Sequence, residues 1–233
     1  MKQVTLGRSE LTATNVGLEL SPMLQMNFAE CRELMDRAMD AGITLYDIGL
    51  LEEELQKRIG HAIAGRRNGI VLAGSFAPCE PKKFKKDLET LLRGLKTDYI
   101  DLCQIHDPDY LPRQGDSEGF FDALTQAKEA GYIRSIGITT GSFDIALHAL
   151  EFGWYDTLQF PWTIDSPEEE ADLIDFSHMA AMGTISVPPE ELPKTKEELA
   201  KDLEWLEQQE QHTGLWLAKE GAGLQNLFEL IKL

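Results

Sequence analysis

Short β-rich runs alternate with longer helical runs along this chain, and that alternation limits the fold more than any other feature. Candidate strands fall at 16–20 (VGLEL), 43–48 (ITLYDI), 69–76 (GIVLAGSF), 99–106 (YIDLCQIH), 133–140 (IRSIGITT), 155–160 (YDTLQF), 183–187 (GTISV) and 214–218 (GLWLA). A helical run follows each of them. These are 30–41, closed by Gly42; 52–64; 81–95, opened by Pro81; a run that Ser117 can cap, ending near Gly131; one capped by Ser142 and reaching Phe152; one opened by Ser166, Pro167 and Glu168 and reaching Met182; a Glu/Lys-rich run from Thr195 to about 211; and 224–231. The caps and glycine stops are the types helices use. Runs such as IVLA and IDLC are continuously apolar, as in parallel strands buried on both faces. Eight strand–helix units in 233 residues predict an α/β fold, a (β/α)8 TIM barrel, for which about 250 residues is typical. A doubly wound open sheet fits less well, since no glycine-rich phosphate loop follows the first strand. With no linker or low-complexity stretch, the whole of 1–233 reads as one domain.

In a barrel of this kind the chemistry sits where strands end and βα loops begin. Position alone therefore marks Glu19, Asp47 to Glu53, Ser75, His106 and Asp107, Thr139 and Thr140, Gln159, Trp162, Pro188 to Glu191, Lys219 and Glu220. Charge narrows the partners. Forty acidic against 22 basic residues give a net charge of -18, which disfavours nucleic acid and anionic membrane surfaces. No apolar run reaches the ~20 residues of a membrane helix. MKQVTLGRSE lacks the basic region and apolar stretch of a signal peptide. Cys31, Cys79 and Cys103 are widely spaced and form no CxxC, so reduced thiols in a cytoplasmic protein are expected.

At the marked positions the chain resembles the aldo/keto reductase superfamily. VTLGRSELTATNVGL looks like its N-terminal hairpin and first strand, with the hairpin at about 2–14 closing the bottom of the barrel. MDRAMDAGITLYD looks like its helix and second strand, ending in the Asp of a "DTAxxYG" motif. LLRGLKTDYIDLCQIHDP resembles the stretch ending in the active-site His, and AKEAGYIRSIGITT and YDTLQFPW resemble the fifth and sixth strands. The likeness is greatest to the bacterial branch whose longer members carry an iron–sulfur module, absent here, and the part after 188 is shortened.

The resemblance implies a tetrad of Asp, Tyr, Lys and His that reduces a carbonyl with NADPH. Asp47 and His106 match two members. Glu52 stands at the Tyr position and Ser75 at the Lys position, because the family's LATK reads LAGS here. Tyr46 alternates to the other strand face and is a poor substitute. A carboxylate in place of the Tyr puts negative charge where a reducing transition state develops it. A buried Glu52 beside Asp47 would escape this by staying protonated.

The cofactor grip is weakened as well. Gln159, Thr139 and Thr140 match positions that hold the nicotinamide amide, but the pyrophosphate loop reads Pro188-Pro189-Glu190-Glu191 and the phosphate-binding end offers Lys219 followed by Glu220. No cofactor is therefore assigned, with NAD(P) kept as a weakened alternative. No metal is assigned either: Asp47, Glu52 and His106 lack a short-spaced ligand pair.

The expected catalytic set is Asp47, Glu52 and His106. Ser75, Asp107, Thr139, Gln159 and Trp162 are expected around a small-molecule ligand, with Trp162 on the wall. Each also has a plain structural reading: Asp47 caps a loop, Glu52 opens a helix favoured by its dipole, Ser75 fills space, Gln159 satisfies backbone groups and Trp162 covers the rim. His61, His148, His178 and His212 read as helical surface or packing residues. Three functions remain open. The leading one is a non-redox acid–base enzyme of lyase or isomerase type acting on a small polar metabolite. The others are a divergent NAD(P)-dependent oxidoreductase and a non-catalytic scaffold meeting a protein partner or a second copy.

Overall fold

A computed structural model describes residues 1–50, 52–106, 109–187 and 195–232. In chain order the elements are β1 (Gln3–Thr5), β2 (Thr12–Thr14), β3 (Val16–Glu19), α1 (Phe28–Asp40), β4 (Leu45–Leu50), α2 (Glu53–Ala62), β5 (Val71–Phe76), α3 (Pro81–Leu95), β6 (Ile100–His106), α4 (Phe120–Glu129), β7 (Ile133–Thr139), α5 (Phe143–Phe152), β8 (Thr157–Phe160), α6 (Glu168–Met179), β9 (Gly183–Ser186), α7 (Lys196–Gln208), β10 (His212–Leu217) and α8 (Ala222–Ile231). The strands β3 to β10 run parallel and close on themselves in sequence order, β10 pairing with β3. This is the (β/α)8 barrel that the alternation predicts. β1 and β2 form the expected antiparallel hairpin.

The period-2 alternation of side chains sorts each strand into an inner and an outer face. Leu45, Val71, Ala73, Leu102, Ile185 and Leu215 point inward and pack on Val4, Leu6, Leu11 and Ala13 of the hairpin segment. The hairpin is thus an apolar plug in the lower half of the barrel. Gly7 makes the plug fit: it bridges to Met182, and a Cβ there would lie 2.3 Å from Gly183 N. Following the same faces upward leads to Glu19, Asp47, Ser75, Gln104, His106, Thr139 and Gln159. The upper interior is therefore polar.

Local devices set the helix limits. α1 starts earlier than its apolar pattern indicates, because Asn27 accepts from Ala29 N and Glu30 N while Glu30 accepts from Asn27 N, a reciprocal capping box. Ser142 and Thr195 cap as expected. Ser117 does not cap α4. Its N-cap is Gly119, at φ +66, and Asp116 builds the entry by accepting from Gly119 N at 2.8 Å and Arg113 N at 3.0 Å. α6 stops at Met179 rather than Met182, since Ala181 turns left-handed at φ +55. His212 opens β10 instead of lying on a helix. No described helix is long and apolar enough to cross a membrane.

Two buried polar clusters lie outside the mouth. Asp101, 1% exposed on the outer face of β6, accepts from Arg67 at 2.7 Å, Arg134 at 2.9 Å and Leu72 N at 2.9 Å. The Tyr99 ring lies under both guanidiniums. His212 is fully buried between Trp162 and Trp205, with Nε2 2.8 Å from Ser186 Oγ and Nδ1 2.7 Å from Thr184 Oγ1. Burial, then His178 and Lys2, push its pKa down to about 3.

Each cluster yields a prediction. Asp101→Ala leaves Arg67 without its buried counter-charge and should lower the unfolding free energy by about 3–5 kcal/mol, as read by urea denaturation. The folded protein refuses a proton at His212 that the unfolded chain takes up below its ordinary pKa near 6.5. Stability should therefore fall as pH drops from 6.5 toward 3, by about 1.4 kcal/mol per pH unit for this group. His212→Gln should flatten that part of the acid limb in urea midpoints compared at neutral and acid pH.

Candidate active site

Asp47 is the centre of the mouth. It is 2% exposed at the upper end of β4. Its Oδ1 accepts from Gly49 N at 2.8 Å and its Oδ2 from Gln159 Nε2 at 3.2 Å. Gln159 Oε1 accepts in turn from Gln104 Nε2 at 2.6 Å, and Thr157 Oγ1 donates to Gln104 Oε1 at 3.4 Å. Asp47, Gln159, Gln104 and Thr157 thus form one hydrogen-bonded chain across the barrel from β4 to β6 and β8. Gly137 leaves room for it, because a Cβ there would lie 2.1 Å from both Gln104 Oε1 and Thr157 Oγ1. Burial raises the Asp47 pKa, while the bonds from Gly49 and Gln159 and the charge of His106 oppose that rise.

His106 ends β6 half-buried, in register with Thr139, which is in turn in register with Gln159. Asp47 and His106 both lie on inward-facing positions at the upper ends of their strands, near enough for the His106 charge to oppose the rise in the Asp47 pKa. His106 is not sealed under the core, and Asp47 holds a side chain as well as backbone. Ser75 is buried on the inner face at the end of β5, between the registers of β4 and β6, and also borders a cavity of about 590 Å³ reaching Gln56, Cys79, Lys83 and Lys86. Thr140 is turned to a structural task, its Oγ1 accepting from Ser142 N at 3.0 Å at the head of α5. Tyr46 faces the helices and donates to Ile43 O at 2.7 Å.

Two expected site residues, Glu52 and Trp162, lie elsewhere. Glu52 is exposed at the N-cap of α2 and makes no cap with its side chain, so it is not a buried partner of Asp47. The helix start draws it outward, where its backbone carbonyl accepts from Gln56 N. Trp162 is 2% exposed and off the mouth wall. Its ring packs on Phe160 and His212, and its Nε1 donates to Glu170 O at 2.7 Å, tying the β8 loop to α6. Lys219 is exposed beyond β10, and its neighbour Glu220 is engaged by Arg37 at 2.9 Å. Asp107 and 188–191 lie outside the described residues. Among the described residues, no group of three or more His, Cys, Asp or Glu side chains is arranged to hold a metal ion.

The carboxylate beside Asp47 is Glu19. Position had marked it, but nothing in the sequence gave it a role. Glu19 and Asp47 are register partners on β3 and β4. Glu19 is 9% exposed, with Oε1 accepting from Ser21 N at 2.9 Å and Oε2 from Ser21 Oγ at 2.7 Å. Burial above all, and the nearby charge of Asp47, push its pKa up to about 7 against the Ser21 bonds.

The chain is thus a closed parallel (β/α)8 barrel with carboxylates and an imidazole at its upper strand ends. The sequence profile of the Aldo/keto reductase family matches residues 6–186. The chain belongs to that family. It is 28% identical over 162 residues to the aldo-keto reductase YhdN of Bacillus subtilis, covering 62% of this chain and 47% of that protein. It is 31% identical over 159 residues to the uncharacterized oxidoreductase YqkF of the same organism, covering 60% and 49%. The matches thus span about half the length of these curated relatives. Among solved structures, an aldo/keto reductase from Klebsiella pneumoniae in complex with NADP and acetate superposes with a TM-score of 0.75 at 20% identity, over 100% of this chain and 90% of that one.

The Glu19 environment predicts a pH effect opposite to that of His212. The folded state keeps the Glu19 proton up to about pH 7, whereas the unfolded chain loses it near 4.5. The resulting stability is present below 4.5 and is lost as pH rises through 7. Glu19→Gln should therefore stabilise the protein by about 3 kcal/mol near pH 8 and by little near pH 4, measured by urea unfolding at the two values.

Proposed function

We propose that the mouth performs acid–base chemistry of isomerase or lyase type on a small polar metabolite. The observation that carries this reading is the set of Glu19 and Asp47 on the neighbouring strands β3 and β4, with His106 half-buried at the end of β6 on the same rim, where one carboxyl holds a proton near neutral pH. General acid–base work needs groups that exchange protons near the working pH. Asp47 is held by Gly49 and Gln159 and is suited to orienting charge at His106. Thr139 and Ser75 supply hydroxyls on the inner wall.

The same residues speak against ordinary carbonyl reduction. The reductase tetrad is read as degenerate: Ser75 offers no cation, and Glu52 at the Tyr position is an exposed carboxylate. A bound NAD(P) would supply hydride, and Gln159, Thr139 and Thr140 are the residues the resemblance offers for its nicotinamide. Two of them already have other tasks. Both polar ends of the Gln159 amide are engaged inside the barrel, and the Thr140 hydroxyl serves α5. The reductase names of the relatives and the NADP in the Klebsiella structure keep a divergent oxidoreductase as the second reading.

The test is direct. Wild-type protein in D2O is incubated with dihydroxyacetone and glyceraldehyde, and loss of C–H signal is followed by proton NMR. We expect exchange, and we expect His106→Ala to remove it by about 10²-fold or more with thermal unfolding nearly unchanged, since a half-exposed mouth residue contributes little to the core. Intrinsic tryptophan fluorescence titrated with NADPH should show no tight binding. Tight binding, with turnover of a simple aldehyde at an ordinary enzymatic rate, would move the assignment to the oxidoreductase.

A further inference from the structure

We infer that Glu19 and Ser21 together are the proton-loading pair of the mouth, Glu19 holding the transferable proton and Ser21 connecting it to solvent. The inference deepens the acid–base reading above and rests on it for the reaction served. Four features of the geometry support it. Glu19 is buried at the upper end of β3, in register with Asp47 on the neighbouring strand. Both of its oxygens are held by a single residue, through Ser21 N and Ser21 Oγ. Ser21 is itself exposed, so the hydroxyl contacting the buried carboxyl belongs to a residue at the surface. Gly49 lets the carboxyl sit where it does: at φ +68, a Cβ on it would lie 2.8 Å from Glu19 Oε1 and push that oxygen aside, while its N–H serves Asp47.

The Ser21 contact allows two proton positions. When Glu19 is ionised, Ser21 Oγ–H donates to Oε2. When Glu19 is protonated at Oε2, that O–H donates to Ser21 Oγ, and the Ser21 hydrogen turns outward to solvent. Reloading therefore needs only a hydroxyl rotation and a surface water. Around Glu19, the charged group on β4 is Asp47. Beyond β10, Ala218 N donates to Glu19 O at 2.8 Å and is followed by the exposed Lys219. On β6, His106 acts on Asp47. Burial above all, and after it the charge of Asp47, keeps the proton on Glu19 until a substrate takes it.

The substrate class this pair suits is a small hydroxycarbonyl compound. As His106 takes the proton of the carbon beside the carbonyl, that C–H electron pair becomes the new C=C bond. The carbonyl π pair takes up the Glu19 proton to give O–H. The products of the step are a neutral enediol, imidazolium and the Glu19 carboxylate. The reverse sequence at the neighbouring carbon returns both protons and exchanges the carbonyl and hydroxyl positions, with no oxidant or reductant consumed.

Protein labelled with carboxyl-13C glutamate is titrated by NMR, with Glu19→Gln to assign the resonance. We expect one carboxyl to titrate near neutral pH, to be absent from Glu19→Gln and to move toward the ordinary range in Asp47→Asn. Titration of Glu19 together with the exposed glutamates would overturn the inference. The Asp47→Asn shift is a readout that a merely space-filling Glu19 would not give. In the triose exchange assay, Glu19→Gln should lose about 10²-fold or more, and Ser21→Ala should lose less and show a solvent isotope effect altered from wild type. If Glu19 titrates as expected but the wild-type protein exchanges neither triose, the acid–base reading fails and the proton-loading pair stands. If exchange occurs undiminished in Glu19→Gln, the pair fails and the acid–base reading stands.

Discussion

The hydrogen bond from Gln159 to Asp47 is the constraint on which the mouth depends. A carboxylate taken this far from water is costly unless its lone pairs are met. Here one oxygen is met by backbone and the other by a side chain from the far side of the barrel. Gln159 can serve Asp47 only because its other end is held by Gln104, which is held by Thr157. Three strands are thus coupled through one polar chain above an apolar plug. Asp47 then adds to burial in discouraging charge at Glu19.

The two halves of the barrel interior divide the work. Below, Leu45, Leu102, Ile185 and Leu215 close on the hairpin, and a fully buried aliphatic side chain contributes about 1.5–3 kcal/mol. Above, the same alternating positions carry Glu19, Asp47, Ser75, Gln104 and Gln159. Stability is concentrated at one end, and the groups that oppose it are gathered at the other. The buried Asp101 cluster lies on the outside near the strand starts, where a charge can be paired fully by Arg67 and Arg134 without disturbing the mouth.

Most of the architecture was legible because the signals were local. Apolar runs marked all eight barrel strands, and Pro81, Ser142 and Thr195 marked helix starts that the structure keeps. Asn27 and Asp116 were missed as entry devices because their bonds depend on side-chain geometry two or three residues away. Asp47 and His106 were legible because each ends a strand. The role of Glu19 was not, since what defines it is a strand register and a backbone angle at Gly49, both long-range. Trp162 and Glu52 were misplaced for a common reason. Each follows a strand end by a few residues, and the loop conformation, which the sequence does not encode by pattern, turned one into the helix layer and the other to solvent.

The contact between residue 49 and residue 19 also limits the order in which such a chain can change. Any side chain at 49 would crowd the Glu19 carboxyl and be strained at φ +68, so a glutamate arriving first at 19 would have to hold its carboxyl elsewhere. Loss of the side chain at 49 is the permissive step, neutral in itself, and only afterwards can 19 acquire its acid. The two positions should therefore covary among homologues, with glycine at 49 found without glutamate at 19, but not the reverse.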